Sequence, residues 1–299
     1  MTVSAITPDL RPYTAPDLTF SILIPSWNNL EYLKLCIGSI RRNSTFRHQI
    51  LVHLNEGTDG SLEWIKEQPD ITYTYSKNNL GVCYPLNLLS VKTATDYIVY
   101  MNDDMYVCPE WDKALMDEIK RIGHKYFFLS ATAIEASPKK ACAIHRNFGK
   151  NSSEFDEQSL LRHYKSLNIP DWHGATWPPN IVHKDIWQLV GGYSIEFSPG
   201  MYSDPDFSMK LWEAGVRLFK GINSSKVYHF GSISVNRVKK NRGYYKFIGK
   251  WGFTSSTATQ YFLHRGETYD GPLTSPEIPW RIRIKNYLRR LQTSFYYPG

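Results

Sequence analysis

Four sets of polar residues in this 299-residue chain could do chemistry, and each follows a run of strand-forming residues. The strongest is Met101-Asn102-Asp103-Asp104-Met105. Adjacent carboxylates at a strand end repel one another unless positive charge lies close. A divalent cation shared with substrate phosphates supplies that charge; an acidic turn ahead of a helix is the plainer reading. Ser203-Asp204-Pro205-Asp206 opens a second helix. Asp204 fits the N-cap there, with Pro205 at the first helical position. It equally suits a general base that accepts a hydroxyl proton as attack develops. Tyr228-His229-Phe230-Gly231-Ser232 sets a histidine after the last strand. A hydrogen-bonded packing role and metal ligation are both open for it, imidazole suiting Mn²⁺ less well than carboxylate does. The fourth set comprises Ser26-Trp27-Asn28-Asn29, Asn55-Glu56-Gly57-Thr58-Asp59-Gly60 and Asn78-Asn79-Leu80-Gly81. Such turns can wrap a nucleoside with main-chain donors, and they are also what ordinary βα connections look like.

To act together these sets need elements that bring them to one edge. The pattern predicts strands at 20–25, 49–54, 71–75, 97–101 and 127–133. Helical patterns alternate with them: one carrying Leu33, Ile37 and Ile40 on a single face, then 61–67, 82–91 and 110–122. Alternation of this kind predicts an α/β fold with a mostly parallel central sheet flanked by helices. Ligands of such a sheet sit at the carboxyl ends of the strands, where all four sets fall. The rhythm breaks between Glu135 and Pro179, leaving one helix near 154–167. Helices at 184–190 and 205–214 and a strand at 226–230 follow.

Composition excludes several classes. Apolar residues make up 42% and charged residues 21%, ordinary globular values. No run of about 18 apolar residues occurs, so no membrane-spanning helix is expected. The first nineteen residues carry prolines and aspartates in place of a basic start and an apolar run. A cytoplasmic protein is therefore expected. Cys36, Cys83, Cys108 and Cys142 form no CxxC pair and read as buried small hydrophobes. Neither a Rossmann G-x-G-x-x-G, a P-loop nor a G-x-S-x-G elbow is present. The net charge of +7 is concentrated at one end: residues 235–299 hold 12 Lys/Arg against 3 Asp/Glu, and residues 1–234 hold 23 against 25. An anionic surface or partner met by the tail is expected, not a basic body built for nucleic acid.

The runs FSILIPSWNN, LNEGTDGS, NNLGVCYPLN and YIVYMNDDMYVCPEW, then a helix ending in GGY, SDPDFSMKLWEAGVRL and VYHFGS, occur in this order. Over roughly Phe20 to Ser232 the chain resembles an inverting family-2 glycosyltransferase of GT-A fold. The resemblance implies a hexosyl- or deoxyhexosyltransferase that moves a sugar from a nucleotide-diphosphate donor, in polysaccharide biosynthesis, with Mn²⁺ or Mg²⁺. It also implies roles. Pro25, Ser26 and Trp27 line the nucleotide pocket, joined by Asn55, Asn79, Gly81, Asn102 and Asp103. Asp104 holds the cation with His229, and Asp204 is the catalytic base. The family's acid after the second strand falls here on Leu54, or is replaced by Asn55 or Glu56, which leaves UDP, dTDP and GDP donors open. Ser203 stands where the family has a Glu.

Trp172 and Trp177, in an aromatic loop, are candidates for stacking an acceptor glycan or lipid-linked glycan; a buried aromatic turn is the alternative. At 280–295, Ile284, Tyr287, Leu288, Leu291 and Phe295 recur at helical spacing among Arg281, Arg283, Lys285, Arg289 and Arg290. Docking of that apolar stripe on the catalytic domain is the first expectation. Peripheral contact with anionic lipid is the second. The chain thus divides into a leader (1–19), a GT-A domain (20–234, with a nucleotide half at 20–105 and an acceptor half at 106–234) and a basic helical or irregular C-terminal extension (235–299). Two rivals compete with this reading. A sugar nucleotidyltransferase would carry a Gly-rich, Arg/Lys-bearing signature that Ile22 to Asn29 lacks, and a non-catalytic carbohydrate-binding module would not need both Asp104 and Asp204.

Overall fold

A computed structural model of the chain describes residues 7–8, 17–137, 142–231 and 242–296, with the backbone alone at 7–8 and 294–296. Most of the leader, Ser232, the start of the extension and the Phe295 side chain lie outside the described residues. The first half alternates as expected: β1 (Thr7–Pro8), β2 (Leu18–Trp27), α1 (Leu30–Asn43), β3 (Arg47–Asn55), α2 (Ser61–Lys66), β4 (Ile71–Ser76), α3 (Cys83–Ser90) and β5 (Tyr97–Tyr100). A short strand, β6 (Met105–Val107), precedes α4 (Trp111–Ile122) and β7 (Phe127–Glu135). Next come β8 (Ala143–His145), α5 (Glu157–His163), β9 (Trp172–His173), β10 (Asn180–His183), α6 (Lys184–Leu189), α7 (Ser203–Glu213) and β11 (Leu218–His229). The extension holds α8 (Gly243–Trp251), α9 (Ser255–Thr257) and α10 (Trp280–Tyr296).

The strands form one sheet in the order β1-β4-β3-β2-β5-β10-β7-β11-β6, with β8 beside β7 and β9 beside β11. The sheet is mixed, where a mostly parallel one was expected. Strands β4, β3, β2 and β5 run parallel, as do β7 and β11. Between these two blocks β10 is antiparallel to both neighbours, and β6 is antiparallel to β11. The chain reaches β10 only after the long excursion through 136–179, and it enters from the opposite end of the sheet.

Helices cover both faces. On one, Leu33 and Ile37 of α1, Ile65 of α2 and Trp111, Leu115 and Ile119 of α4 pack on Ile22, Ile24 and Val99. The four-residue spacing in α4 is what a single buried stripe requires, and Gly123 at φ +70 ends that helix in the left-handed conformation. On the other face, Leu86, Trp187, Phe207, Leu211 and Phe247 pack on Leu23, Ile98 and Phe128. A third cluster, including Tyr106, Phe148, Leu160 and Tyr228, lies under α5. The helix expected near 154–167 is α5 flanked by 3₁₀ turns at Ser152–Glu154 and Tyr164–Ser166. All four cysteines are buried free thiols.

The C-terminal helix corrects an expectation. Its body-facing side carries polar anchors: Asn286 accepts from the Thr257 hydroxyl (3.1 Å) and the Thr254 amide (3.4 Å), and Thr293 is buried opposite Gly249 of α8. The apolar stripe faces outward, with Trp280 66%, Ile284 50%, Tyr287 62%, Leu288 53% and Leu291 44% exposed. Among the described side chains the stripe does not dock on the body; the contacts to α9 are made by Asn286. Among the described residues no helix is long and apolar enough to cross a membrane.

Candidate active site

Register builds the first wall of the site. Leu23 of β2 pairs with Tyr100 of β5, so the next residues of both strands emerge side by side. Ser26 Oγ there donates to Asp103 Oδ2 at 2.7 Å. Directly after the acidic pair, β6 binds β11 with Met105 opposite His229, and the Phe230 amide donates to the Asp104 carbonyl at 3.2 Å. On its other side β11 runs with β7, Tyr228 opposite Ile134. His229 therefore stands between two carboxylates. Its Nδ1 lies 2.7 Å from Glu135 Oε1 and its Nε2 lies 3.5 Å from Asp104 Oδ1. A carboxylate can only accept, so Nδ1 carries the proton that faces Glu135 and Nε2 is turned toward Asp104.

This corner attracts positive charge. Burial, the largest influence, lowers the His229 pKa, yet the Asp104 and Glu135 carboxylates push it up to about 10. His229 Nε2 is buried and makes no hydrogen bond among the described residues. An imidazole nitrogen fixed by a carboxylate on its far side, facing another carboxylate, forms a donor pair that a divalent cation fits once the cation displaces the Nε2 proton. Among the described residues no group of three or more His, Cys, Asp or Glu is arranged to hold a metal ion. Asp104 and His229 are the two residues that could hold a cation here, and Mg²⁺-type sites take their remaining ligands from phosphate oxygens and water.

The second wall is built from loops and a helix start. Asp204 is not the N-cap expected from the sequence. Helix α7 begins at Ser203, with Tyr202 before it at φ +71 and no side-chain cap. With the left-handed turn at Tyr202 the helix starts two residues early, and the Asp204 carboxylate faces the cleft. The Tyr193 hydroxyl donates to Asp204 Oδ1 at 3.3 Å. Burial, with the Asp204 charge beside it, pushes the Tyr193 phenol well up, so that hydroxyl stays a donor. The neighbouring Asp206 has a different task. It is fully buried and accepts from Ser194 Oγ (2.6 Å), Trp251 Nε1 (2.9 Å) and Lys250 Nζ (2.9 Å), tying α7 to α8.

Both walls face a cleft of roughly 580 Å³, onto which Pro25, Asn102, Asp103, Asp104, His229, Asp204, Trp172 and Trp177 all open. The tryptophans differ. Trp172 is 4% exposed, donates its indole N–H to Thr132 Oγ1 (3.0 Å) and covers Gly221, where a Cβ would strike its ring. Trp177 is half-buried and carries the Arg265 guanidinium 3.8 Å from its ring centre. The remaining predicted residues are not among those that line the cleft. Trp27 Nε1 donates to Glu56 Oε2 (2.8 Å), which also accepts from Asn28 (3.0 Å). Asn55 is buried; it donates to the Gly81 carbonyl (3.2 Å) and accepts from the Leu80 amide (2.8 Å). Asn79 Oδ1 accepts from the Gly81 amide (2.8 Å). Gly81, at φ +77, lets the Val82 amide reach the Pro199 carbonyl at 2.9 Å; any Cβ there would lie 2.3 Å from Pro199 Cα. These residues hold the turn after β4 against the loop that leads to Asp204. Leu54 is in the core.

Sequence reasoning missed Glu135, Tyr193 as a partner of Asp204, and Arg265. For Tyr193 the GGY run was the available signal. Glu135 and Arg265 carry none, since each reaches the site only through tertiary pairing.

Comparisons with known proteins agree with this architecture. The model of glycosyl transferase family 2 matches residues 21–177, just over half of the chain. That span includes Asp103, Asp104 and Glu135 and ends before Asp204 and His229. Comparison with curated proteins gives no significant match. The chain superposes on the crystal structure of S. aureus TarS residues 1–349 with a TM-score of 0.56 and 12% identity, covering 94% of this chain and 72% of that one. The complex of the same TarS fragment with UDP-GlcNAc gives 0.55 at 12% identity, covering 94% and 73%. GalNAc-T7 with UDP, GalNAc and Mn²⁺ gives 0.53 at 13% identity, covering 85% and 51%. At such identities the likeness is one of fold.

Proposed function

Since the chain belongs to glycosyl transferase family 2, we propose that it moves one hexosyl or deoxyhexosyl group from a nucleotide-diphosphate sugar to a hydroxyl of a glycan or lipid-linked glycan, with inversion. The observation that carries this reading is the meeting of Asp204 and the Asp104–His229 pair across one cleft. A diphosphate entering a cleft that already holds Asp103, Asp104, Glu135 and Asp204 meets like charge, so a cation must accompany it. Asp104 and His229 would hold that cation, with Glu135 fixing the imidazole. When bound, Mn²⁺ or Mg²⁺ neutralises charge on the departing diphosphate.

Asp204 takes the proton from the acceptor hydroxyl as its oxygen bonds to the anomeric carbon. The bond from that carbon to the diphosphate oxygen breaks, and the nucleoside diphosphate leaves with the electron pair. Tyr193 holds the carboxylate in place through its hydroxyl. Trp177, stiffened by Arg265, offers a flat apolar face on which an acceptor sugar can stack. A UDP-sugar is the first donor to test, because UDP occupies TarS and GalNAc-T7 complexes of this fold. The test is a panel of UDP-, dTDP- and GDP-sugars with Mn²⁺ and candidate glycan acceptors, the product's anomeric configuration being read by NMR. Transfer with inverted configuration is expected. A retained configuration, or turnover unaffected by removal of divalent cations, would contradict the mechanism.

A further inference from the structure

We propose that α10 seats this protein on an anionic lipid surface, its apolar stripe entering the interface between headgroups and acyl chains. The helix is held to the body by Asn286 and Thr293, so its outer side is fixed. With about 100° of turn per residue, Trp280, Ile284, Tyr287, Leu288 and Leu291 fall within an arc of about 100° that points away from the protein. All five are exposed. Arg281, Lys285 and Arg289 flank one side of that arc, and Arg283 and Arg290 flank the other. No Asp or Glu occurs between residues 280 and 296. Long basic side chains can lie along the interface and reach phosphates, while Trp and Tyr suit a boundary that is apolar below and wet above. A helix of this build lies in the interface plane.

Charge decides among the occupants. A second copy of α10 would set basic rims against basic rims, and the segment 232–241 carries Arg237, Lys239 and Lys240 with no acid. Neither complements the helix; an anionic headgroup does. The inference is independent of the donor, the acceptor and the transfer reaction.

Flotation of the full chain with vesicles tests it, comparing phosphatidylcholine alone with a mixture containing one-third phosphatidylglycerol. Binding to the anionic vesicles only, weakened by high salt, is expected. The triple variant Ile284→Ser, Leu288→Ser, Leu291→Ser alters exposed positions, so its melting temperature should match the parent while vesicle binding falls ~10-fold or more. The pair Lys285→Glu, Arg289→Glu should lower binding by a similar ~10-fold. Absence of binding by the parent chain, or equal binding by the triple variant, overturns the proposal. So does a dimer that the triple variant abolishes while neither protein binds vesicles, which would assign the stripe to a second copy.

Discussion

On one wall of the cleft the functional side chains stand at strand ends, and sheet register alone puts them together. Asp103, Asp104 and His229 belong to β-strands or the turn between them, and both aspartates are at least nine-tenths buried. On the other wall Asp204 stands in the first turn of α7, half-buried, behind a loop stitched to the first half at Gly81 and Pro199. The first wall is set by strand pairing and buries the carboxylates of Asp103 and Asp104 beside His229. The second is built from a loop and a helix start, and its Asp204 is partly exposed to the cleft. The proposed mechanism puts donor binding and proton removal on different walls, and substitutions should separate them.

The largest effect is expected on the second wall. Asp204→Asn should lower kcat by about 10²–10⁴-fold while the donor dissociation constant stays within a few-fold of the parent. Next is Asp104→Asn on the first wall, which should weaken cation-dependent donor binding by about 100-fold or more, read by calorimetry with and without Mn²⁺. Gly81→Ala strikes the seam between the walls. The left-handed backbone and the Pro199 clash should cost about 2–4 kcal/mol, seen as a lowered melting temperature together with lost transfer. Glu135→Gln keeps the shape but loosens the grip on His229. About 10–100-fold weaker Mn²⁺ affinity is expected, with the melting temperature little changed.

The smallest effect lies away from both walls. His53 is buried between Thr74 Oγ1 (2.7 Å) and Ser76 Oγ (3.0 Å), and burial lowers its pKa from 6.5 to about 4. The unfolded chain binds a proton there below pH 6.5 and the folded protein only near 4, so this stability is intact at neutral pH and lost on acidification. Between pH 7.5 and 5 the His53 contribution to the unfolding free energy should fall by about 2 kcal/mol. Urea titration of the parent against His53→Gln isolates it; an equal fall in both would contradict the assignment.

The same contrast governs what the sequence made legible. From Phe20 to Ile122 the strands β2, β3 and β5 are largely apolar runs with most residues buried, and helices such as α4 carry one apolar stripe. Both leave strong patterns, and the structure matches them to within two residues or so. The short strands β6 and β10 leave none, since three or four residues establish no period. Yet β6 is what brings Asp104 to His229, so the pairing was visible only as a family resemblance. The Asp-Pro step at 204–205 looked like a cap because capping is local chemistry. The left-handed turn at Tyr202 that overrides it is set by a non-glycine residue in a conformation no local pattern encodes. In α10 the periodicity revealed the stripe but not its direction, because the anchoring residues are Asn286 and Thr293, polar positions that a hydrophobic pattern assigns to solvent.

The most direct test of two separable walls is a single melting-shift experiment on three proteins: the parent, Asp104→Asn and Asp204→Asn, each with nucleoside diphosphate and Mn²⁺. At about 100 times its dissociation constant the ligand stabilises by about 2.7 kcal/mol, ample for detection. The parent and Asp204→Asn are predicted to shift alike with one diphosphate, and Asp104→Asn to lose the Mn²⁺-dependent part, while transfer activity is lost in both variants. Loss of the shift in Asp204→Asn, or normal turnover by that variant, would contradict the division of labour between the walls.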